Sequence, residues 1–200
     1  MPNTVFSPSI ESRPTYAGLA PRPGAPAIMV ADEAGAAAVT HLATVDATAM
    51  AKAHVVLVGA PAETSDALAA LSPAAVQTVP DLDTATPIVE QLLSQARMGT
   101  QLFLAGSEGL MGHISAIALA SGMALEDIQM EHRGSIARRM QCVHCKGITD
   151  GVTTDPFTCS HCGLTLFVRD HFSRRLGAFQ GVCVDAETPG DIPATEEIRP

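Results

Sequence analysis

The apolar positions of this chain fall into short blocks separated by longer stretches of helical spacing, and the alternation starts at residue 27. Ala27-Ile-Met-Val-Ala31 predicts a first strand, followed by an alanine-rich helix running to about Met50. His54-Val-Val-Leu-Val-Gly59 holds consecutive apolar residues and ends in Gly-Ala-Pro, the pattern of a strand buried on both faces. A short helix over 65–71, a third strand over 75–79 and an amphipathic helix over 86–96 follow, with Ile88, Val89, Leu92 and Leu93 on one face. Gln101-Leu-Phe-Leu-Ala105 reads as the fourth strand, 108–121 as the next helix, and 127–131 as the fifth strand. Strands that alternate with helices need crossover connections, which place the helices on both faces of a parallel sheet. The expected class is therefore α/β, with a five-stranded, parallel, doubly wound sheet.

The flanks read differently. Residues 1–26 contain Pro2, Pro8, Pro14, Pro21, Pro23 and Pro26, which predict an extended arm, ordered only where it packs on something. Residues 135–186 lose the helical spacing and predict a small β module, with strands over 137–141, 154–158 and 164–168 and with Phe167 and Phe172 as cover. The last segment, 187–200, is acidic and proline-containing and is expected to be flexible. Four segments result: arm (1–26), α/β domain (27–134), β module (135–186) and tail (187–200).

The strongest chemical signal lies in the β module. Cys142, Cys145, Cys159 and Cys162 form C-x2-C-x13-C-x2-C, with Gly147 and Gly163 close behind the second cysteine of each pair. Two such knuckles place four thiolates around one metal, as in a zinc ribbon. Zinc and iron both accept four thiolates in tetrahedral geometry. The short insert favours zinc, with iron as the alternative. Four cysteine ligands close the coordination sphere, so zinc here would be structural, whereas iron would carry electrons. His144 and His161 are expected at the surface and not on the metal. Cys183, within Gly-Val-Cys-Val-Asp, is expected as a buried strand residue acting as a small hydrophobe. No Cys–His or Ser–His nucleophile pair is visible. Asp170, His171, Arg174 and Arg175 are better read as an ordered surface than as an acid–base set.

Charge adds one refinement. The chain carries a formal −9, which disfavours general nucleic-acid binding. Between Arg133 and Arg175, however, seven basic residues stand against three acids, leaving that segment at +4 and the remainder at −13. Arg138, Arg139, Arg169, Arg174 and Arg175 are the candidate docking residues for an acidic partner. The competing reading pairs these arginines with the chain's own acidic domain. The opening residues have no basic segment followed by an apolar one, and no apolar run approaches membrane length. A cytoplasmic location with reduced, metal-competent thiols is expected, with no membrane partner.

Two resemblances extend this reading. Leu102-Phe-Leu-Ala-Gly106-Ser-Glu-Gly109-Leu-Met111, with Ile128-Gln-Met-Glu131-His-Arg-Gly134, resembles the end of the nicotinamide-binding domain of ferredoxin–NADP and phthalate dioxygenase reductases. Gly106, Met111 and Glu131 match that pattern. Ala105, Ser107 and His132 or Arg133 replace its cysteine, proline and aromatic. Where that group has a glycine-rich phosphate loop after the first strand, this chain has Ala31-Asp32-Glu33-Ala34-Gly35-Ala36. Asp32 and Glu33 would repel phosphate and are expected instead as first-turn helix residues. No cofactor-binding residue is assigned, and no flavin barrel is expected ahead of the domain.

The α/β domain followed by Arg138-Arg-Met-Gln-Cys142, the second knuckle and Arg169-Asp170-His171-Phe172-Ser173-Arg174-Arg175 resembles the DmmA-type small subunits of bacterial dimethylamine monooxygenase. The resemblance implies an NADPH- and O2-dependent complex that demethylates dimethylamine to methylamine and formaldehyde. NADPH, flavin, iron–sulfur and haem or iron centres would sit on partner subunits, with this chain a non-catalytic docking or electron-relaying subunit. The rival classes are a zinc-ribbon module that binds nucleic acid or protein, and a stand-alone NAD(P)-linked reductase.

Overall fold

The computed structural model describes residues 10–199, so the expectations for residues 1–9 of the arm and for Pro200 lie outside it. Strands β1 (Ala27–Asp32), β2 (Ala53–Val58), β3 (Ala75–Val79), β4 (Gln101–Gly106) and β5 (Ile128–His132) form one parallel sheet in the order β3-β2-β1-β4-β5. Helices α1 (Ala36–Val45), α2 (Ala62–Ala69), α3 (Leu82–Ser94) and α4 (Glu108–Ala120) make the crossovers.

Neighbouring residues of each central strand feed opposite cores, as the two-residue period of a strand requires. Met29, Ala31, Val55, Leu57 and Phe103 pack with Val39 and Leu42 of α1 and Leu68 of α2. Ile28, Val30, Val56, Leu102 and Leu104 pack with Val89 of α3 and Ile114 of α4. Both faces of the sheet are therefore covered, two helices to a side. The expected α/β, doubly wound class holds.

Helix ends differ from expectation for local reasons. The first helix stops at Val45 and not near Met50, because the Asp46 carboxylate accepts from the Thr48 amide at 2.9 Å and its hydroxyl at 2.6 Å. That turn competes with helical bonding. The third helix starts at Leu82 and not at residue 86, because Asp81 caps it by accepting from the Thr84 amide.

The β module holds β6 (Arg138–Cys142), β7 (Ile148–Val152), β8 (Thr154–Asp155), β9 (Phe157–Thr158), β10 (Thr165–Ser173), β11 (Ala178–Cys183) and β12 (Glu196–Glu197). Its main sheet runs β7-β6-β11-β10-β9, with only β6 and β11 parallel among the paired neighbours. The segment expected as one strand over 154–158 is split in two, β7 was not expected, and β11, expected only as a strand around Cys183, begins at Ala178. Glycine and polar residues interrupt both, and pairing to β6 and β10 supplies what their propensity lacks.

Both flanks are tied into the body through described residues. In the arm, Gly18 N–H donates to Met130 O at 3.2 Å, and the Leu19 amide donates to the Glu131 carboxylate at 3.0 Å, which covers the outer edge of β5. At the other end, β12 pairs with β8, the Ile198 amide donates to Thr153 O, and the Ile198 side chain is buried. The close of the tail expected to be flexible is thus held by backbone bonds and one apolar anchor. Among the described residues no helix is long and apolar enough to cross a membrane.

The α/β part and the β module meet where α4 packs on β6 and β11. Gly112 of α4 and Gly177, in the turn between β10 and β11, touch through their backbones. A Cβ on Gly177 would lie 1.9 Å from Gly112 O, and the φ of Gly177 is +59°. Space and backbone conformation both require glycine there. Gly177→Ala is expected to lower stability by about 1–3 kcal/mol in urea unfolding, whereas Gly190→Ala, in open space, costs less.

Candidate metal centre and its charged surroundings

The two knuckles are built by strand ends. Cys142 closes β6, and its N–H donates to Gly147 O, while the Lys146 amide donates back to Cys142 O. Cys159 follows β9, with matching bonds from its N–H to Leu164 O and from the Gly163 amide to Cys159 O. Positive φ at Lys146 (+65°) and Gly163 (+74°) completes each turn. The pairing of β9 with β10, and of β6 with β11, then brings the knuckles face to face.

All four sulfurs lie within 4.8 Å of one another. Cys142 Sγ is 3.8 Å from Cys162 Sγ, and Cys145 Sγ is 3.7 Å from Cys159 Sγ. A tetrahedron with Zn–S bonds near 2.3 Å has edges of about 3.8 Å, so the sulfur cage fits a single metal ion. The Gly147 amide also points at Cys145 Sγ, at 3.4 Å. Protonation within the cage is uneven. At Cys159, burial opposes ionisation, but the Cys162 and His161 amides outweigh it and bring the thiol down to about 6. At Cys162 the Leu164 amide lowers the pKa, yet burial and the neighbouring thiols push it up to about 12. Thiols bind metal as thiolates, so metal binding here would release protons and weaken as pH falls.

His161 is not a ligand. Its ring bonds Ile148 O at 2.7 Å and lies against Gly147, where a Cβ would stand 2.5 Å from the imidazole. It fastens the second knuckle to β7. Cys183 is half-buried at the end of β11 and donates to the Asp185 carboxylate at 3.1 Å. That bond raises its pKa and keeps the thiol protonated. Phe172 packs edge-on to Phe179 beside the core that includes Cys142 and Cys159, whereas Phe167 lies under Arg169 instead.

The docking arginines divide into two groups. Arg138 is only 5% exposed, so its expected surface role is corrected: it is a buried structural cation. It pairs with Asp170 at 2.9 Å and Glu108 at 3.7 Å, and donates to Arg199 O. Arg13, 3% exposed, reaches the same Glu108 carboxylate at 3.5 Å and Asp170 at 3.9 Å. Both guanidinium groups lie 4.7–5.0 Å from the centre of the Phe179 ring. Tyr16 completes the cluster by donating its hydroxyl to Glu108 at 2.8 Å. Burial, then the charge of Glu108, push the Tyr16 pKa well above its ordinary value, so the hydroxyl remains a donor. Burial, then Arg13, lower that of Arg138.

Sequence reasoning gave Arg13, Tyr16 and Glu108 no role in this cluster. A lone glutamate in the first turn of a helix, 95 positions from one partner, leaves no local pattern. Arg139 is partly covered and pairs with Asp150 at 3.0 Å. Arg169, Arg174 and Arg175 are exposed, on β10 and the turn after it. Asp32 and Glu33 precede α1 and do not form its first turn.

Comparison with known proteins identifies two adjoining matches. Residues 8–128 match the family model "dimethylamine monooxygenase subunit DmmA-like, N-terminal domain", and residues 139–182 match the corresponding C-terminal domain. The heme-dependent oxidative N-demethylase delta subunit of Ectopseudomonas mendocina (strain ymp) is 36% identical over 137 residues, covering 66% of this chain and 78% of that protein. Among solved structures, the FAD/NAD-binding domain of nitric oxide dioxygenase from Vibrio cholerae O1 biovar El Tor aligns at 14% identity with a TM-score of 0.42. The alignment covers 60% of this chain and 56% of that one.

Two outcomes are expected. Treatment with a chelator, or Cys142→Ser, is expected to remove amide protection across 138–183 in hydrogen exchange while β1 and β2 keep theirs, because the binding free energy of a metal in a four-thiolate cage is folding free energy, on the order of 10 kcal/mol. Arg138→Ala lowers stability by about 3–5 kcal/mol by leaving Glu108 and Asp170 undercompensated, whereas Arg169→Ala changes it by about 0.5 kcal/mol or less in the same denaturant series.

Proposed function

We propose a docking role for this chain, which belongs to the DmmA-like family of dimethylamine monooxygenase subunits: it shapes an interface in the enzyme complex and leaves the chemistry to its partners. The observation that carries the reading is the closed cage of four cysteine sulfurs. A metal held by four thiolates keeps no position for substrate or oxygen. Zinc is the metal this reading assigns to Cys142, Cys145, Cys159 and Cys162, acting as a clamp that fixes β6, β9 and the start of β10. Beyond that clamp, β10 and its turn hold up Arg169, Arg174 and Arg175, the first of them resting on the Phe167 ring at 5.3 Å. Arginine is favoured at protein interfaces because its planar fork pairs with carboxylates while its stem packs on apolar surface.

In this reading the complex oxidatively demethylates dimethylamine to methylamine and formaldehyde with NADPH and O2. The NADPH, flavin, iron–sulfur and haem or iron centres lie on the partner subunits. The relative from Ectopseudomonas mendocina, named as a delta subunit of a heme-dependent oxidative N-demethylase, supports a multi-subunit setting.

The test is reconstitution from separately purified subunits. Omitting this chain is expected to abolish or sharply reduce dimethylamine turnover, and adding it back to restore it. A chain carrying Arg169→Glu, Arg174→Glu and Arg175→Glu together is expected to fold with an unchanged melting temperature yet fail to copurify with its partners. Full turnover without the chain would refute the reading.

A further inference from the structure

The sheet order β3-β2-β1-β4-β5 reverses direction between β1 and β4. In open parallel sheets that reversal leaves a crevice outside the carboxyl ends of the strands, where dinucleotide phosphates are bound by amides at the head of a helix. In this chain the same place is occupied from within. Asp32 is the last residue of β1. One of its carboxylate oxygens accepts from the Gly35 amide at 2.9 Å, and the other accepts from the Ser107 amide at 2.8 Å. Gly35 is the residue that caps α1, and Ser107 is the one that caps α4. A single carboxylate thus takes up donors at the heads of both helices beside the crevice.

The surroundings are shaped to hold it. A Cβ on Gly106 would stand 2.4 Å from Asp32 Cγ and both carboxylate oxygens, and the φ of Gly106 is +136°. Glycine at 106 is therefore the seat of the carboxylate. A Cβ on Gly35 would stand 2.0 Å from Ala105 O, so glycine there lets the head of α1 descend onto β4. Next to this seat, the arm closes the β5 side. The Leu19 amide bonds Glu131, the Ala20 amide bonds Gln129, and the Tyr16 ring stacks near His132 with centroids 6.0 Å apart.

We propose that the Asp32 carboxylate is an internal anion standing in for a dinucleotide's phosphate, so that β1, β4, α1 and α4 are locked together without a ligand. A nicotinamide dinucleotide does not fit: its phosphate would have to displace Asp32 from both amides while facing the same sign of charge. The glycines that let phosphate approach backbone in a binding domain serve here to let a side chain approach it. The inference is independent of the docking role. A chain that docks partners could still bind NADPH, and one that does not dock could still be sealed.

The test uses the full chain, with inorganic pyrophosphate and NADPH as probes and chloride of matched ionic strength as control. The melting temperature of the unaltered protein is expected to be indifferent to both probes. Asp32→Gly empties the seat and frees the Gly35 and Ser107 amides. Its melting temperature is expected to fall, and pyrophosphate to restore several degrees of the loss. Both proteins carry the same cysteines, so any action of pyrophosphate on a bound metal is common to the two. A folded Asp32→Gly protein that ignores pyrophosphate overturns the proposal, as does an unaltered protein stabilised as much as the variant. Should the variant not fold, the Gly35 and Ser107 amide resonances of the unaltered chain decide. Constant positions on titration with NADPH support the proposal, and joint movement of both overturns it.

Discussion

Glu108 is the residue on which the arrangement of the whole molecule depends. It opens α4, is 3% exposed, and receives Arg13 from the arm, Tyr16 from the arm and Arg138 from the first strand of the β module. A carboxylate buried alone would be strongly disfavoured. Here the positive end of the helix dipole and two guanidinium groups compensate it. The distances of 3.5 and 3.7 Å are those of ion pairs, and the short bond in the set is that from Tyr16, at 2.8 Å. Because the donors come from separate parts of the chain, burying Glu108 requires arm, sheet and β module to be in place together. Such a cluster adds little net stability over apolar packing, but breaking one partner is costly, which favours a single docked arrangement.

The cysteine cage and the charged cluster share β6. Arg138 begins that strand and Cys142 ends it, so the metal knuckle and the anchor to α4 are set by the same five residues. β6 pairs with β11, and β11 carries the Phe179 ring that Arg13 and Arg138 approach. That shared strand is a physical reason for a closed metal site in the docking role proposed above. A metal in the cage would stiffen a small sheet whose strands contain Gly151 and Gly181 and are otherwise weakly specified.

Much of the parallel sheet was legible because buried strands such as Val55–Val58 announce themselves by continuous apolar runs. The four-cysteine cage was legible because knuckle spacing is short-range. What escaped was long-range or conditional. Only the Cys183 end of β11 was legible: Ala-Phe-Gln-Gly becomes strand through its pairing with β6 and β10. Arg138 and Arg169 look alike in sequence, and only the fold separates the buried one from the exposed one. Asp32 was readable as a residue hostile to phosphate. Its function as a bond acceptor across the crevice needed the position of Ser107, 75 residues away.

In the proposed role this chain shapes an interface around a closed metal site and carries no redox centre. The most direct measurement is the anaerobic visible spectrum of the purified chain, recorded before and after NADPH and then dithionite, alongside its metal content. One zinc per chain and a spectrum without visible bands, unchanged by either reductant, are the predicted result. Thiolate-to-iron absorption that bleaches on reduction would contradict the account and make the four cysteines an electron relay.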